Sequence, residues 1–223
     1  MAGAAVAYIA AGVVASILWR VASVGFANVA SSEPQEQFDR TLLALLWFGY
    51  GGGALAGLLV IGHVAGIVQS TGATLSLALA VATGVALANI VGGLSAGLLS
   101  ERLPATLILV GLPGCAALAL GVAVVWSTWM VLLGALMVTG FTYGAIIAIY
   151  PVAVLHLVGQ QRSARAYGYV FTAWGLAGLL GPWLAGVLFD ERQNYTQALV
   201  LASGTSVLSV IAALGLLRSS ANR

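Results

Sequence analysis

Lysine is missing from the 223 residues of this chain, and charge of either sign is scarce, at 6% of the sequence. An ordinary soluble domain carries roughly a quarter charged residues to cover its surface, which excludes this chain from that class. The missing lysine also excludes a retinal protein, whose chromophore needs a Schiff-base lysine. No phosphate-binding loop, metal-ligating cluster or basic nucleic-acid surface occurs. These absences argue against ATP-driven transport by this chain alone and predict no cofactor, no metal and no nucleic-acid partner. Cys115 is the single cysteine, so no disulfide can form within the chain, and it reads as a small apolar residue.

What is there instead is apolar sequence, 61% of the chain. A bilayer core about 30 Å thick is crossed by roughly 20 helical residues. Seven stretches are long enough, near 3–19, 41–69, 74–99, 105–125, 130–157, 167–189 and 196–217. They read as helices, because lipid offers no partner to a free backbone amide and the runs lack the alternation of a barrel strand. The expected fold is all-α, a polytopic bundle of seven transmembrane helices whose first partner is the lipid bilayer.

The arginines orient it. Arg20, Arg40, Arg102, Arg162, Arg165, Arg218 and Arg223 flank alternate connections, and only Arg192 falls on the other side. By the positive-inside rule the carboxy terminus is cytoplasmic and the amino terminus outside, as in a protein of the bacterial inner (plasma) membrane. Residues 3–19 lack the basic leader of a signal sequence and are read as a span. Trp126 and Trp129 bracket an uncharged outer connection as interfacial anchors.

The longest polar stretch divides the chain into a lone helix at 1–19, a cytoplasmic linker at 20–40, a six-helix block at 41–217 and a tail at 218–223. Ser32, Glu33, Pro34 and Gln35 resemble a capping box, which would start the second span ahead of its apolar run. A loop is expected at 159–166. Glycines at 49, 53, 57, 62 and 66, and again at 140 and 144, recur at intervals that let helices approach closely in lipid. The same smooth faces would let helices slide or rock, as a transporter must.

His63 is the only ionisable side chain well inside a span, a depth at which polar groups face a cavity or a partner. A neutral imidazole has one donor and one acceptor to offer a substrate or a proton; otherwise a neighbouring helix's carbonyl caps it. Polar and aromatic residues gather on four spans: Trp47 and Tyr50 with His63, Thr83 and Asn89, Thr139, Tyr143 and Tyr150, and Thr172 and Trp174. The fourth and seventh spans are plainer, so four helices read as cavity-lining and two as peripheral. Thr139, Tyr143 and Tyr150 share one helical face. Ser95 within Gly93–Ala96 and His156 within His156–Gly159 imitate the serine and histidine motifs of rhomboid-type intramembrane proteases, a competing reading with no oxyanion group beside it. Asn194, Tyr195 and Thr196 form a glycosylation sequon in a short loop.

Gly97, Leu98, Leu99, Ser100, Glu101 and Arg102 resemble the short cytoplasmic signature of the major facilitator superfamily of secondary transporters, although Leu103, Pro104 and Ala105 depart from its ending. The run from Tyr167 to Gly178, with Gly181, Pro182, Ala185, Gly186 and Asp190, and the segment Gly57–His63 with Asn89, are similar to the oxalate and formate antiporter branch. Nearly the whole chain resembles the carboxy-terminal half of that family, preceded by the last helix of the other half.

The resemblance implies secondary active transport of a small solute by alternating access, an activity that is not enzymatic. The solute would be a small carboxylate. Gly93 stands where the family pattern suggests an arginine, which turns the expectation from oxalate toward a monocarboxylate or an uncharacterised solute. Implied substrate-binding residues are His63, Trp47, Tyr50, Asn89, Tyr143, Thr172 and Trp174, and Gly97, Glu101 and Arg102 would form the gating motif. The implied partner is a missing amino-terminal half or a second half-transporter chain. A self-pairing half-size transporter, an intramembrane serine protease and a membrane scaffold are the alternatives.

Overall fold

The structure, a computed structural model, describes residues 39–126 and 128–221. The expected first span, the linker as far as residue 38, the Ser32–Gln35 box and Arg223 lie outside those residues. Seven helices fill the described part: α1 (Arg40–Ile61), α2 (Val64–Gln69), α3 (Leu75–Arg102), α4 (Ala105–Val125), α5 (Trp129–Val158), α6 (Gln160–Arg192) and α7 (Thr196–Ala221). All but the short α2 are long and apolar enough to cross a membrane, and the protein is an integral membrane protein of the all-α class.

Helix boundaries follow local chemistry. Asp39 has extended backbone, and its carboxylate accepts from the amides of Thr41 and Leu42 at 2.9 and 3.2 Å. That satisfies two of the donors a helix start leaves open, so α1 begins at this cap. The expected single span 41–69 is two helices, broken at Gly62 and His63, where His63 leaves helical geometry at φ −121° and ψ 13°. The expected loop at 159–166 is corrected to one residue. Gly159, at φ +87°, reverses the chain in a conformation that costs only glycine little, and α6 starts at Gln160. Residues 160–166 are polar although helical because they extend the span at its charged end.

The glycines record how the helices run. Gly140 fits against the Val85 carbonyl and Gly144 against that of Asn89, four residues on along each chain, so α3 and α5 are parallel. Gly51 faces Ala173 and Gly181 faces Leu58 and Leu59, eight residues on, so α1 and α6 are parallel too. Gly49, Gly53 and Gly57 meet Tyr150, Ile146 and Tyr143 in reverse order, making α1 and α5 antiparallel. Gly114 meets Val210 and Gly121 meets Ser203, and α4 and α7 are antiparallel likewise. Exchanging α1, α3 and α4 for α5, α6 and α7 leaves the main packing pairs unchanged. The described helices are therefore two three-helix units of opposite direction, and their alternation puts Arg40, Arg102, Arg162, Arg165 and Arg218 at one end and Arg192 at the other.

α5 and α1 are the most covered spans, and α3 and α6 the least. Two apolar cores occupy the two ends of the bundle. One is built around Leu59, Val60, Ile67, Leu120 and Leu136, the other around Leu46, Tyr50, Ile149, Tyr150 and Leu216. Between them lies a smaller cluster of Ala54, Tyr143 and Ala177, flanked by Trp174.

Candidate functional site

α1, α5 and α6 each bring aromatic residues from mid-helix or from the half nearer the arginine-rich end to one shared face. The Trp174 indole N–H donates to the Tyr143 hydroxyl at 3.0 Å, joining α6 to α5. The Trp47 indole N–H donates to Thr172 Oγ1 at 3.0 Å, joining α1 to α6. Thr172 donates in turn to the Tyr169 carbonyl at 2.7 Å. Phe171 stacks on Trp174 with ring centroids 5.0 Å apart, and Tyr50 stacks on Tyr150 at 4.2 Å.

Space for the Tyr143 ring comes from Gly57, where any β-carbon would fall inside it. Among the described residues the Tyr50 hydroxyl is buried without a hydrogen-bond partner, with Tyr167 nearby. An unpaired buried hydroxyl is costly and marks a position where a further acceptor would be gained.

Of the residues singled out from sequence, Trp47, Tyr50, Tyr143, Thr172 and Trp174 are thus brought together. The chemistry they offer is uncharged. Because Tyr143 accepts from Trp174, its own hydrogen remains to be donated, and Tyr50 has a second such hydrogen. Phe171 and Gly57 complete the group; only the Gly57 spacing had signalled its part, as packing.

Asn89 lies apart, half-buried on α3 beside Gly144. His63 is about 24 Å along the helix from Trp47 at 1.5 Å per residue, in a hydrogen-bond set of its own. Its Nε2 lies 2.9 Å from the Pro182 carbonyl and its Nδ1 3.2 Å from the Tyr195 hydroxyl. A carbonyl only accepts, so Nε2 carries the hydrogen; in the neutral ring, Nδ1 accepts from Tyr195. Tyr195 had drawn notice only as part of a sequon.

The Gly97, Glu101 and Arg102 motif forms the end of α3, where Gly97 borders open space, Ser100 Oγ donates to the Gly97 carbonyl at 2.7 Å, and Glu101 and Arg102 are exposed. Ser95 Oγ donates to the Val91 carbonyl at 2.7 Å. The α3–α5 contacts set Ser95 level with residues 144–150, which leaves His156 about 9 Å or more farther along α5. The serine and histidine of the protease reading are therefore not paired. A shallow cleft of about 380 Å³ lies at the Arg192 end of the bundle, between Thr71, Gly72, Ala73 and Leu77 and the start of α5 at Trp129 and Leu132. None of the residues singled out for binding lines it.

Residues 41–223 match the Major Facilitator Superfamily. Individual relatives align over shorter stretches. The chain is 43% identical to monocarboxylate transporter 14 of Mus musculus over 56 residues, 25% of this chain and 11% of that protein. It is 34% identical to monocarboxylate transporter 12 of Xenopus laevis over 110 residues, 49% of this chain and 23% of that protein. It is 35% identical to monocarboxylate transporter 3 of Gallus gallus over 72 residues, 32% of this chain and 13% of that protein. The chain thus spans less than a quarter of the length of these relatives. With the match running through every described helix, the parallel and antiparallel pairs have their family: this chain belongs to the major facilitator superfamily.

Proposed function

We propose that the described helices form the carboxy-terminal half of a secondary transporter for a small monocarboxylate. The solute binds against the α1, α5 and α6 wall and crosses by alternating access. The observation that carries this reading is the mid-bundle pair Tyr143 and Trp174, which holds an uncharged hydroxyl donor between two apolar cores. Secondary transporters place their substrates near the bilayer midplane, between halves. The cluster of Trp47, Tyr50, Tyr143, Phe171, Thr172 and Trp174 on this wall holds no arginine or lysine, which suits one carboxylate better than two, and the matched relatives are named as monocarboxylate transporters. The similarity to the oxalate and formate antiporter branch remains part of the proposal as a matter of descent, with oxalate a poorer fit than a monocarboxylate.

The opposite wall is a second six-helix half, contributed by the same polypeptide or by another chain. Exposure of α3 and α6, the helices read as cavity-lining, supports this. The arginine-rich end faces the cytoplasm of a plasma-membrane protein. Gly97, Glu101 and Arg102 close the cavity on that side.

Calorimetry on the purified chain in lipid nanodiscs tests the site. Saturable binding of a short monocarboxylate, weaker binding of the matching dicarboxylate and loss of the signal in Tyr143→Phe are expected. Equal dicarboxylate affinity, or a Tyr143→Phe variant that binds as the parent does, overturns the assignment. Crosslinking in the membrane tests the second wall, since uptake by these six spanning helices as a strict monomer, with no second half on the same or another chain, is incompatible with it.

A further inference from the structure

Outside the proposed site, one titratable side chain is held by both its ring nitrogens at a break in a transmembrane helix. His63 sits where α1 gives way to α2. Its Nε2–H fastens that break to the Pro182 carbonyl within α6, and Tyr195, between α6 and α7, donates to Nδ1. The joint is tightly built. Gly62 packs on the Pro182 ring, Gly66 leaves room for the Tyr195 hydroxyl, and Phe189 stacks on Tyr195 with centroids 4.5 Å apart.

We infer that His63 is a proton-binding site loaded through Tyr195 from the Asp190 side, and that loading tightens the joint between the α1–α2 break and α6. The geometry makes the transfer balanced. A proton from the protonated Asp190 carboxyl binds the Tyr195 oxygen as the tyrosine's own hydrogen passes to His63 Nδ1. Tyrosine is regenerated, imidazolium forms, and Asp190 is left as carboxylate.

Both contacts survive with new character. Nδ1–H now donates to the Tyr195 oxygen, and the bond from Nε2–H to Pro182 becomes charge-assisted, roughly doubling in strength. A neutral imidazole keeps one ring nitrogen free to take a second hydrogen, which suits it to this exchange. At this end of the bundle the other charged or titratable groups among the described residues are Asp190, Glu191 and Arg192 at the end of α6 and Tyr195 in the turn; α1, α2 and the adjoining ends of α3, α4, α5 and α7 add none. Burial, and after it the charge of the exposed Asp190, pushes the Tyr195 hydroxyl above its ordinary value, which keeps that oxygen protonated as a relay requires.

Nitrogen-15 histidine NMR on the chain in nanodiscs tests this without any solute, so it can fail independently of the transport proposal. The His156→Gln background leaves His63 as the single histidine. The expected result is an Nε2–H ring at high pH that gains its second hydrogen at Nδ1 on acidification, with the Nε2 hydrogen bond strengthened. Tyr195→Phe, which keeps the ring on Phe189, should slow proton exchange at Nδ1 on the order of tenfold by removing a charge-assisted partner. The exposed Asp190→Asn should also slow it with no cost to folding. An Nδ1–H ring at high pH, a ring that gains no second hydrogen on acidification, or parental exchange in either variant overturns the inference.

Discussion

Trp174 and Tyr143 meet through one hydrogen bond of 3.0 Å, and its direction decides what the pair can do. The indole N–H has no acceptor capacity, so the tyrosine oxygen is the acceptor and the tyrosine hydrogen stays uncommitted. Hydrogen bonds to charged groups contribute about 1.5–3 kcal/mol. Tyr143→Phe should therefore weaken monocarboxylate binding roughly ten- to hundredfold, while Trp174→Phe, which leaves the hydroxyl but frees its orientation, weakens it less. Calorimetric titration of both variants checks the order.

The α3–α5 contact rests on glycine at closest approach. A β-carbon at position 92 would run into the Phe141 carbonyl, whereas at position 97, on the same helix, it would meet nothing within 4 Å. Gly92→Ala is expected to destabilise the bundle by about 1–3 kcal/mol through overpacking. Gly97→Ala should be neutral or stabilise it by up to about 1 kcal/mol through helix propensity. Thermal unfolding in one detergent separates the two.

α1 and α7 are joined by Ser209, whose hydroxyl donates to the Gly49 carbonyl at 2.6 Å in a buried position. Interhelical bonds of this kind in membranes average about 0.6 kcal/mol, with a maximum near 1.7. Ser209→Ala should cost within that range, and Ser209→Val considerably more because Gly52 and Gly53 pack against this side chain. Unfolding by denaturing detergent measures both.

Tyr195 gives a pH dependence with a definite sign. Its hydroxyl lies above the ordinary 10.0 because burial and then Asp190 disfavour the phenolate. A value raised in the folded state adds stability that is fully present below the unfolded value and is lost as pH rises through the folded one. Melting temperature should therefore fall above about pH 10, and Tyr195→Phe should remove that part of the fall. A variant that loses stability in parallel with the parent contradicts the assignment.

Much of the fold was legible because bilayer physics writes it in composition. Span length, the arginine side and the recurring glycines led to six of the helices, and Gly140 and Gly144 do lie at a close approach of two backbones. The helix break was not legible: Gly62 and His63 sit inside an unbroken apolar run, and what stabilises the turn is the distant pair Pro182 and Tyr195. The 160–166 segment was misread as loop because polarity marks the edge of the bilayer, not the end of a helix. At the site, Tyr143, Thr172 and Trp174 stood out as polar or aromatic residues in apolar spans. Which indole meets which hydroxyl depends on the relative rotation of three helices, which no single stretch of sequence encodes.

The paired registers of α1 with α6 and of α3 with α5 also constrain how such a chain can vary in length. One residue inserted between Val85 and Gly92 would turn everything after it by about 100° and carry Gly92 away from the Phe141 backbone it must face. The turn at 70–74 holds no such opposed glycine: Gly72 meets nothing within 4 Å. Natural insertions and deletions among close kin should therefore collect in that turn, while the helices on either side keep a constant residue count.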